Sequence, residues 1–209
     1  VNEQARIAML ARVLSAAARA GGVDVAMGDD AAVLDGAASA GRRLVWTIDE
    51  QVEGTHFRRD LVSWRDVGWR SFMAAASDVA AMGAAPWCAL SAIVVPPAVD
   101  DAMLEEFARG QRLAAESAGT AVVGGNLARG PVFSVSTTLL GMCDRAVLRS
   151  GATPGDGVWL AGSVGLAAAG FRVLSRAGAS HDGRFATAVA AWRTPRALIA
   201  EGRAMAGVA

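Results

Sequence analysis

Apolar residues at Ile7, Leu10, Val13 and Leu14 recur at helical spacing, which predicts a helix over Glu3–Arg19 that ends at Gly21-Gly22. The pattern then changes: Leu44–Asp49 is a β-branched and aromatic run that reads as a strand ending on a carboxylate. Ser63 followed three residues later by Asp66 is a capping-box signature for a helix from Trp64 to about Met82, with Gly83 as its stop. Trp87–Val95 reads as another strand, closed by Pro96-Pro97. Asp100-Asp101 opens a helix to about Ser117, its acidic first turn complementing the helix dipole. Thr120–Val123 predicts a short strand running into Gly124-Gly125, and Val132–Leu140 a longer, alternating one. Gly151–Gly157 is rich in Gly and Pro and marks a boundary. Beyond it, Val158–Ala161 reads as a new strand, Gly165–Ala177 as a helix, and the Ala-rich remainder to Ala209 as helical.

Long helices between strands, with no internal repeat, place the chain in the α+β class. A mixed-sheet domain is expected over residues 1–150. Residues 151–209 read as the start of a second, α/β domain that lacks the strands to close and so looks truncated.

Hydrophobic residues make up 53% of the 209 positions and charged residues 19%, enough for a sizeable core and incompatible with a disordered chain. The formal net charge is zero and no basic run occurs, which excludes the electrostatic footprint of a nucleic-acid binder. Arginine supplies every Lys/Arg cation; there is no lysine. That excludes a P-loop and a protein-kinase fold, both of which need one. If this protein handles nucleotide phosphates, arginine and metal must do the charge work. Cys88 and Cys143 are too few for a disulfide scaffold or a zinc site, and both sit in apolar runs that suit buried thiols. Asn2-Glu3-Gln4 precedes an amphipathic stretch, and no uncharged apolar run reaches roughly 18 residues. A soluble, cytoplasmic protein without a membrane partner is expected.

The chemistry-bearing stretch runs from Gly28 to Gly83. It contains Gly28-Asp29-Asp30-Ala31-Ala32, Thr47-Ile48-Asp49, and Ser77-Asp78-Val79-Ala80-Ala81-Met82-Gly83. Carboxylates set among Ala, Val and Gly are costly to bury unless a cation neutralises them, and a hard divalent ion held by oxygen ligands does so. Asp29-Asp30 also fits an Asx-turn after Gly28, and Asp49 a solvated strand end. Asp78 lies in the last third of a helix, where an acid opposes the dipole; its alanine neighbours permit close approach of a ligand. Gly124-Gly125-Asn126 is either a phosphate-cradling turn or a plain one. Arg149 is a phosphate clamp or a surface arginine, and His56 on residue type alone is a hydrogen-bonded structural histidine.

Taken in order, these segments resemble the thiamine-monophosphate kinase family of the aminoimidazole-ribonucleotide-synthetase-like superfamily. The matching residues are Gly28–Leu34; Asp49 with Val52-Glu53-Gly54-Thr55-His56-Phe57; Asp66-Val67-Gly68-Trp69; Ser77–Ala84; Val123-Gly124-Gly125; and Arg149-Ser150-Gly151-Ala152-Thr153-Pro154-Gly155-Asp156. Gly-Asp-Asp and the Ser-Asp-Val element also occur in selenophosphate synthetase and the hydrogenase-maturation relative. The His-Phe element and the run from Arg149 to Asp156 point more narrowly to the thiamine kinases. The resemblance implies transfer of the γ-phosphoryl group of ATP to the phosphate of thiamine monophosphate, with Mg²⁺ offsetting the repulsion of the two polyanions. It makes Asp30, Asp49 and Asp78 metal ligands, with Asp29 adjacent and the Thr47 oxygen assisting, and puts Asp49 and Asp78 at the catalytic centre. Gly125 and Asn126 would lie against ATP, Arg149 would contact its phosphates, and His56 would face the thiamine phosphate. It also implies a homodimer formed through the sheet of the first domain.

Two departures stand out. The family has Gly-Gly-Asp, with a metal-ligating Asp, where this chain has Gly124-Gly125-Asn126. Asn still offers a carbonyl oxygen but removes one negative charge, a loss on the order of 1–3 kcal/mol in metal affinity. The family's further Asp-x-Ser-Asp-Gly-Leu motif does not occur in this sequence. An incomplete chain of a longer kinase, a catalytically degenerate nucleotide- and metal-binding paralogue, and a subunit completed by another chain are the alternatives these departures raise.

Overall fold

The computed structural model describes residues 23–25, 32–35, 41–176 and 183–208. The expected helix over Glu3–Arg19 and the carboxylates Asp29 and Asp30 lie outside these residues.

Six strands form one sheet in the order β1-β2-β3-β6-β4-β5. They are β1 (Val23–Val25), β2 (Ala32–Asp35), β3 (Arg43–Val52), β4 (Ala85–Val95), β5 (Val122–Arg129) and β6 (Ser134–Cys143). All neighbours are antiparallel except β4 and β5, which run parallel. A parallel pair cannot be joined by a tight turn, so the chain crosses over through a helix between them. That helix is α2 (Asp101–Ser117); α1 (Trp64–Ala81) connects β3 to β4.

Both helices start where the sequence marks them. Ser63 Oγ accepts from the Asp66 amide at 3.1 Å and Asp66 Oδ2 accepts from the Ser63 amide at 2.9 Å, a closed capping box. Asp100 Oδ1 accepts from the Met103 amide at 2.8 Å and caps α2. After α1, Gly83 takes φ +70°, a conformation that suits glycine.

α1 and α2 cross at two glycines. A Cβ on Gly68 would stand 2.0 Å from the Phe107 carbonyl oxygen, and one on Gly110 would stand 2.0 Å from that of Arg65. The pair covers one face of the sheet. Inward residues of β3 and β6 (Val45, Leu139) meet Phe72, Ala75, Ala76 and Val79 of α1, and a second cluster gathers Val135 with Phe57, Val67, Phe107 and Phe133. The opposite face carries Trp46, Ile48 and Leu90, exposed by 47%, 66% and 48%.

After β6 come α3 (Leu166–Leu174), a short 3-10 turn at Gly183–Phe185, α4 (Ala186–Arg193) and α5 (Ile199–Ala206). Residues 192–197 lie along α1: Trp69 Nε1 donates to the Pro195 carbonyl at 2.7 Å, and Arg193 Nε to that of Leu61 at 2.9 Å. Arg70 stacks 4.8 Å above the Trp192 ring. Gly202 of α5 packs against the Ala80 carbonyl at the end of α1.

Two expected elements differ. Gly124-Gly125-Asn126 is neither a turn nor a loop; it lies inside β5, which continues to Arg129. Glycine weakens a strand, yet here the backbone still pairs with β4, Gly125 opposite Ser91. Val158–Ala161 is not a strand, since no described strand pairs with it; Val158, Trp159 and Leu160 stand exposed instead. Asp49 is also not at a strand end, because β3 runs on to Val52.

Candidate functional site

The period-two pleat of β3 turns Val45, Thr47, Asp49 and Gln51 toward the helices and Trp46, Ile48 and Glu50 away. Asp78, one turn before the end of α1, approaches this inward row. Thr47 Oγ1 donates to Asp78 Oδ2 at 2.6 Å, tying the sheet to the helix. Burial pushes the Asp78 carboxyl above the ordinary aspartate range; the Thr47 hydroxyl opposes that, and the neighbouring Asp49 carboxylate adds to it. The structure therefore brings Thr47, Asp49 and Asp78 together.

No arginine side chain is paired with Asp49 or Asp78 among the described residues. Two acids that repel each other in a half-buried place, offering oxygen only, have the donor chemistry of a Mg²⁺ site. The described residues contain no cluster of three or more His, Cys, Asp or Glu that could hold a metal. The expected third and fourth carboxylates, Asp30 and Asp29, lie outside the described residues.

The other expected residues sit apart. His56 is in the loop that leaves β3 and is exposed. Gly125 shares a row across the sheet with Asp49, through Thr137 and Ser91. It is three strands from Asp49, roughly 14 Å at about 4.8 Å per strand. Asn126 is in register with Ala92, Ser136 and Glu50, the row that faces away from the helices. It is on the other sheet face from Asp49. Arg149 lies exposed in the segment after β6. Beside it, Arg145, Leu148, Ser150, Asp156, Trp159 and Met205 line an open cavity of about 1010 Å³.

Sequence reasoning missed a buried polar line next to Asp49. Gln111 Nε2 of α2 donates to Ser71 Oγ of α1 at 3.1 Å and to Thr137 Oγ1 of β6 at 3.3 Å. Thr137 stands between Asp49 and Ser91 in the sheet, and the Ser91 hydroxyl is buried without a partner among the described residues. The only sequence signal was the density of Ser and Thr in β6.

A family model described as AIR synthase related protein, N-terminal domain, matches residues 28–143. The chain is similar to the thiamine-monophosphate kinase of Halobacterium salinarum, 40% identical over 149 residues that cover 71% of this chain and 49% of that protein. It is 34% identical over 148 residues to the thiamine-monophosphate kinase of Aquifex aeolicus, covering 71% and 47%. Among solved structures, AaThiL complexed with AMPPCP and TMP is similar with a TM-score of 0.86 at 28% identity, over 97% of this chain and 62% of that one. The thiamine-monophosphate kinase of Stenotrophomonas maltophilia K279a is similar with a TM-score of 0.74 at 28% identity, over 97% and 65%. The chain spans about half the length of the curated relatives it matches.

Proposed function

The chain belongs to the AIR synthase related family, and on that premise we propose that it serves the ATP- and Mg²⁺-dependent phosphorylation of thiamine monophosphate to thiamine diphosphate. The observation that carries the reading is the Thr47–Asp78 bond beside Asp49, an acidic pair without a paired cation among the described residues, inside the segment that matches the family. A phosphate oxygen of thiamine monophosphate attacks the γ-phosphorus of ATP; the bond from that phosphorus to the bridging oxygen breaks, and ADP leaves with the electron pair. Both reactants are polyanions, so the barrier is electrostatic and positional. Mg²⁺ would be held by Asp49 and Asp78, with Asp29, Asp30 and Thr47 as the further oxygen donors, and would supply charge neutralisation; Asn126, expected as a ligand of the same cluster, faces the other side of the sheet and is no donor to this ion. The same reading places ATP along the β5 edge at Gly125 and Asn126, with Arg149 on its phosphates and His56 on the thiamine phosphate.

The test is mass-spectrometric detection of thiamine diphosphate after incubation of the purified protein with ATP, Mg²⁺ and thiamine monophosphate. Turnover in the parent and its loss in Asp78→Asn is the expected result. No product from folded parent protein, or undiminished product from the variant, overturns the reading.

Three expectations accompany it. The exposed apolar face with Trp46, Ile48 and Leu90 supports a homodimer formed sheet to sheet, since monomers rarely leave such a patch to water. Sedimentation equilibrium of the parent and of Ile48→Arg tests this; a monomeric parent counts against it. Exposed Val158, Trp159 and Leu160 beside the open cavity support reading residues 151–209 as the opening of a second domain. No described helix is long and apolar enough to cross a membrane, which suits a cytoplasmic enzyme acting on small phosphates.

A further inference from the structure

We infer that the loop after β3 locks His56 as the neutral tautomer with its proton on Nε2, so that the ring meets the substrate phosphate as a hydrogen-bond donor and not as an acceptor. The inference rests on the reading that His56 faces the thiamine phosphate.

The Val52 amide donates to His56 Nδ1 at 3.0 Å. An N–H pointing at Nδ1 requires a lone pair there, and in a neutral imidazole the proton must then sit on Nε2. The lock is built from backbone. The amides of Thr55 and His56 both donate to the Val52 carbonyl, at 3.1 and 2.9 Å, and that of Gly54 to the Phe57 carbonyl at 2.9 Å. Glu53 is held by the Phe133 carbonyl at 3.0 Å. Gly54 takes φ +81°, which a side chain would strain. Phe57, next to His56, is buried to 3% exposure with its ring edge-on to Phe133 at 6.4 Å. Swinging the imidazole away would strip the Val52 amide of its acceptor.

Nε2 itself takes no hydrogen bond among the described residues, and the ring is exposed. A fixed donor there favours an anionic oxygen: a bond to an ionised acceptor is about twice as strong as one to a neutral acceptor. His56 thus discriminates a phosphate monoester from the corresponding free alcohol. It acts by positioning, without exchanging a proton.

The first test needs no substrate. Long-range ¹H–¹⁵N correlation at about pH 8, where imidazole is neutral, reads the tautomer directly; His56→Gln separates its signals from those of His181. A protonated-type shift at Nε2 and a bare-nitrogen shift at Nδ1 are expected, and the reverse pattern or an averaged pair overturns the inference. The second test replaces His56 with Nε2-methylhistidine, which keeps the Nδ1 acceptor and removes the donor. Calorimetry is expected to show about tenfold weaker binding of thiamine monophosphate with unchanged ATP binding; unchanged thiamine monophosphate binding overturns the inference. If the tautomer is as expected but the parent binds no thiamine monophosphate, the substrate reading fails and the lock stands.

Discussion

Thr47 on β3 and Asp78 on α1 are joined by a 2.6 Å hydroxyl-to-carboxylate bond, the direct polar tie between the sheet and the helix at the acidic site. Burial and the Asp49 charge both push the Asp78 proton affinity up, and the Thr47 hydroxyl is what opposes them. The site therefore holds a carboxylate that the metal-free fold disfavours. Such strain is expected where a ligand, not the fold, is to satisfy the charge.

Asp78→Asn is expected to stabilise the metal-free protein while abolishing its response to Mg²⁺. The folded-state value of Asp78 is raised, so its contribution to stability is fully present below the unfolded value of about 3.9 and is lost as pH rises through the folded value. At neutral pH the ionised group is thus a net cost. Because about half of it still meets water, the gain on removal is capped at about 1 kcal/mol, or roughly 2–4 °C in Tm. Thermal melts at pH 7 and at about pH 3.5, with and without Mg²⁺, check this. An equal Mg²⁺-induced rise in Tm for parent and variant would sink the assignment.

Thr47→Val keeps the shape of the side chain and deletes the donor. The Asp78 carboxyl is expected to titrate still higher, because the group that lowers it is gone. Losing one charge-assisted bond costs on the order of 1–2 kcal/mol, so Mg²⁺ affinity should fall about five- to thirtyfold. Carboxyl ¹³C titration and calorimetry read the two effects separately. An unmoved Asp78 titration curve would show that the bond carries nothing.

Gly68→Ala should be among the most damaging substitutions in the chain, although it changes no charge. Its Cβ would meet the Phe107 carbonyl oxygen at 2.0 Å, with the Gln111 amide nitrogen at 2.8 Å. Backbone cannot swing aside as a side chain can, so α1 and α2 must separate, at a cost of about 2–4 kcal/mol. Since Gln111 bridges Ser71 to Thr137 beneath Asp49, the damage should reach the site as weaker Mg²⁺ binding. Urea denaturation gives the first quantity; a loss below about 0.5 kcal/mol would contradict the close crossing.

What was legible in the sequence was local. Ser63 and Asp66 name the start of α1 because a capping box needs only four consecutive residues. Asp78 among alanines was legible as an odd place for an acid. Strand limits were not, because glycine punctuates most chains; at Gly124-Gly125 the edge strand simply continues, held by its neighbour's backbone. Val158–Ala161 has strand composition but no described partner, and composition cannot supply one. Ser91 and Thr137 stayed hidden for a related reason. An inward polar residue differs from an outward one only by register, which a single strand's sequence does not reveal.

Asn126→Asp separates two accounts of the missing acid. If residue 126 belonged to the same ion cluster as Asp49 and Asp78, restoring the carboxylate would tighten binding of Mg²⁺ alone. The geometry argues otherwise: β5 lies three strands from β3, and residue 126 faces away from the helices with Ala92 and Ser136. At roughly 14 Å in water-exposed surroundings, beyond a Debye length at 0.15 M salt, a new charge is largely screened from Asp49. Binding of Mg²⁺ without nucleotide is therefore expected to stay within about twofold of the parent. Binding of Mg²⁺ with ATP should tighten about tenfold, because the triphosphate brings its own metal to the β5 edge and an ionised ligand there is worth more than an amide. Calorimetric titration of Mg²⁺ in the absence and presence of the non-hydrolysable analogue AMPPCP reads both. A gain for Mg²⁺ alone would mean that residue 126 reaches Asp49 and Asp78 by a route this single-chain sheet does not provide.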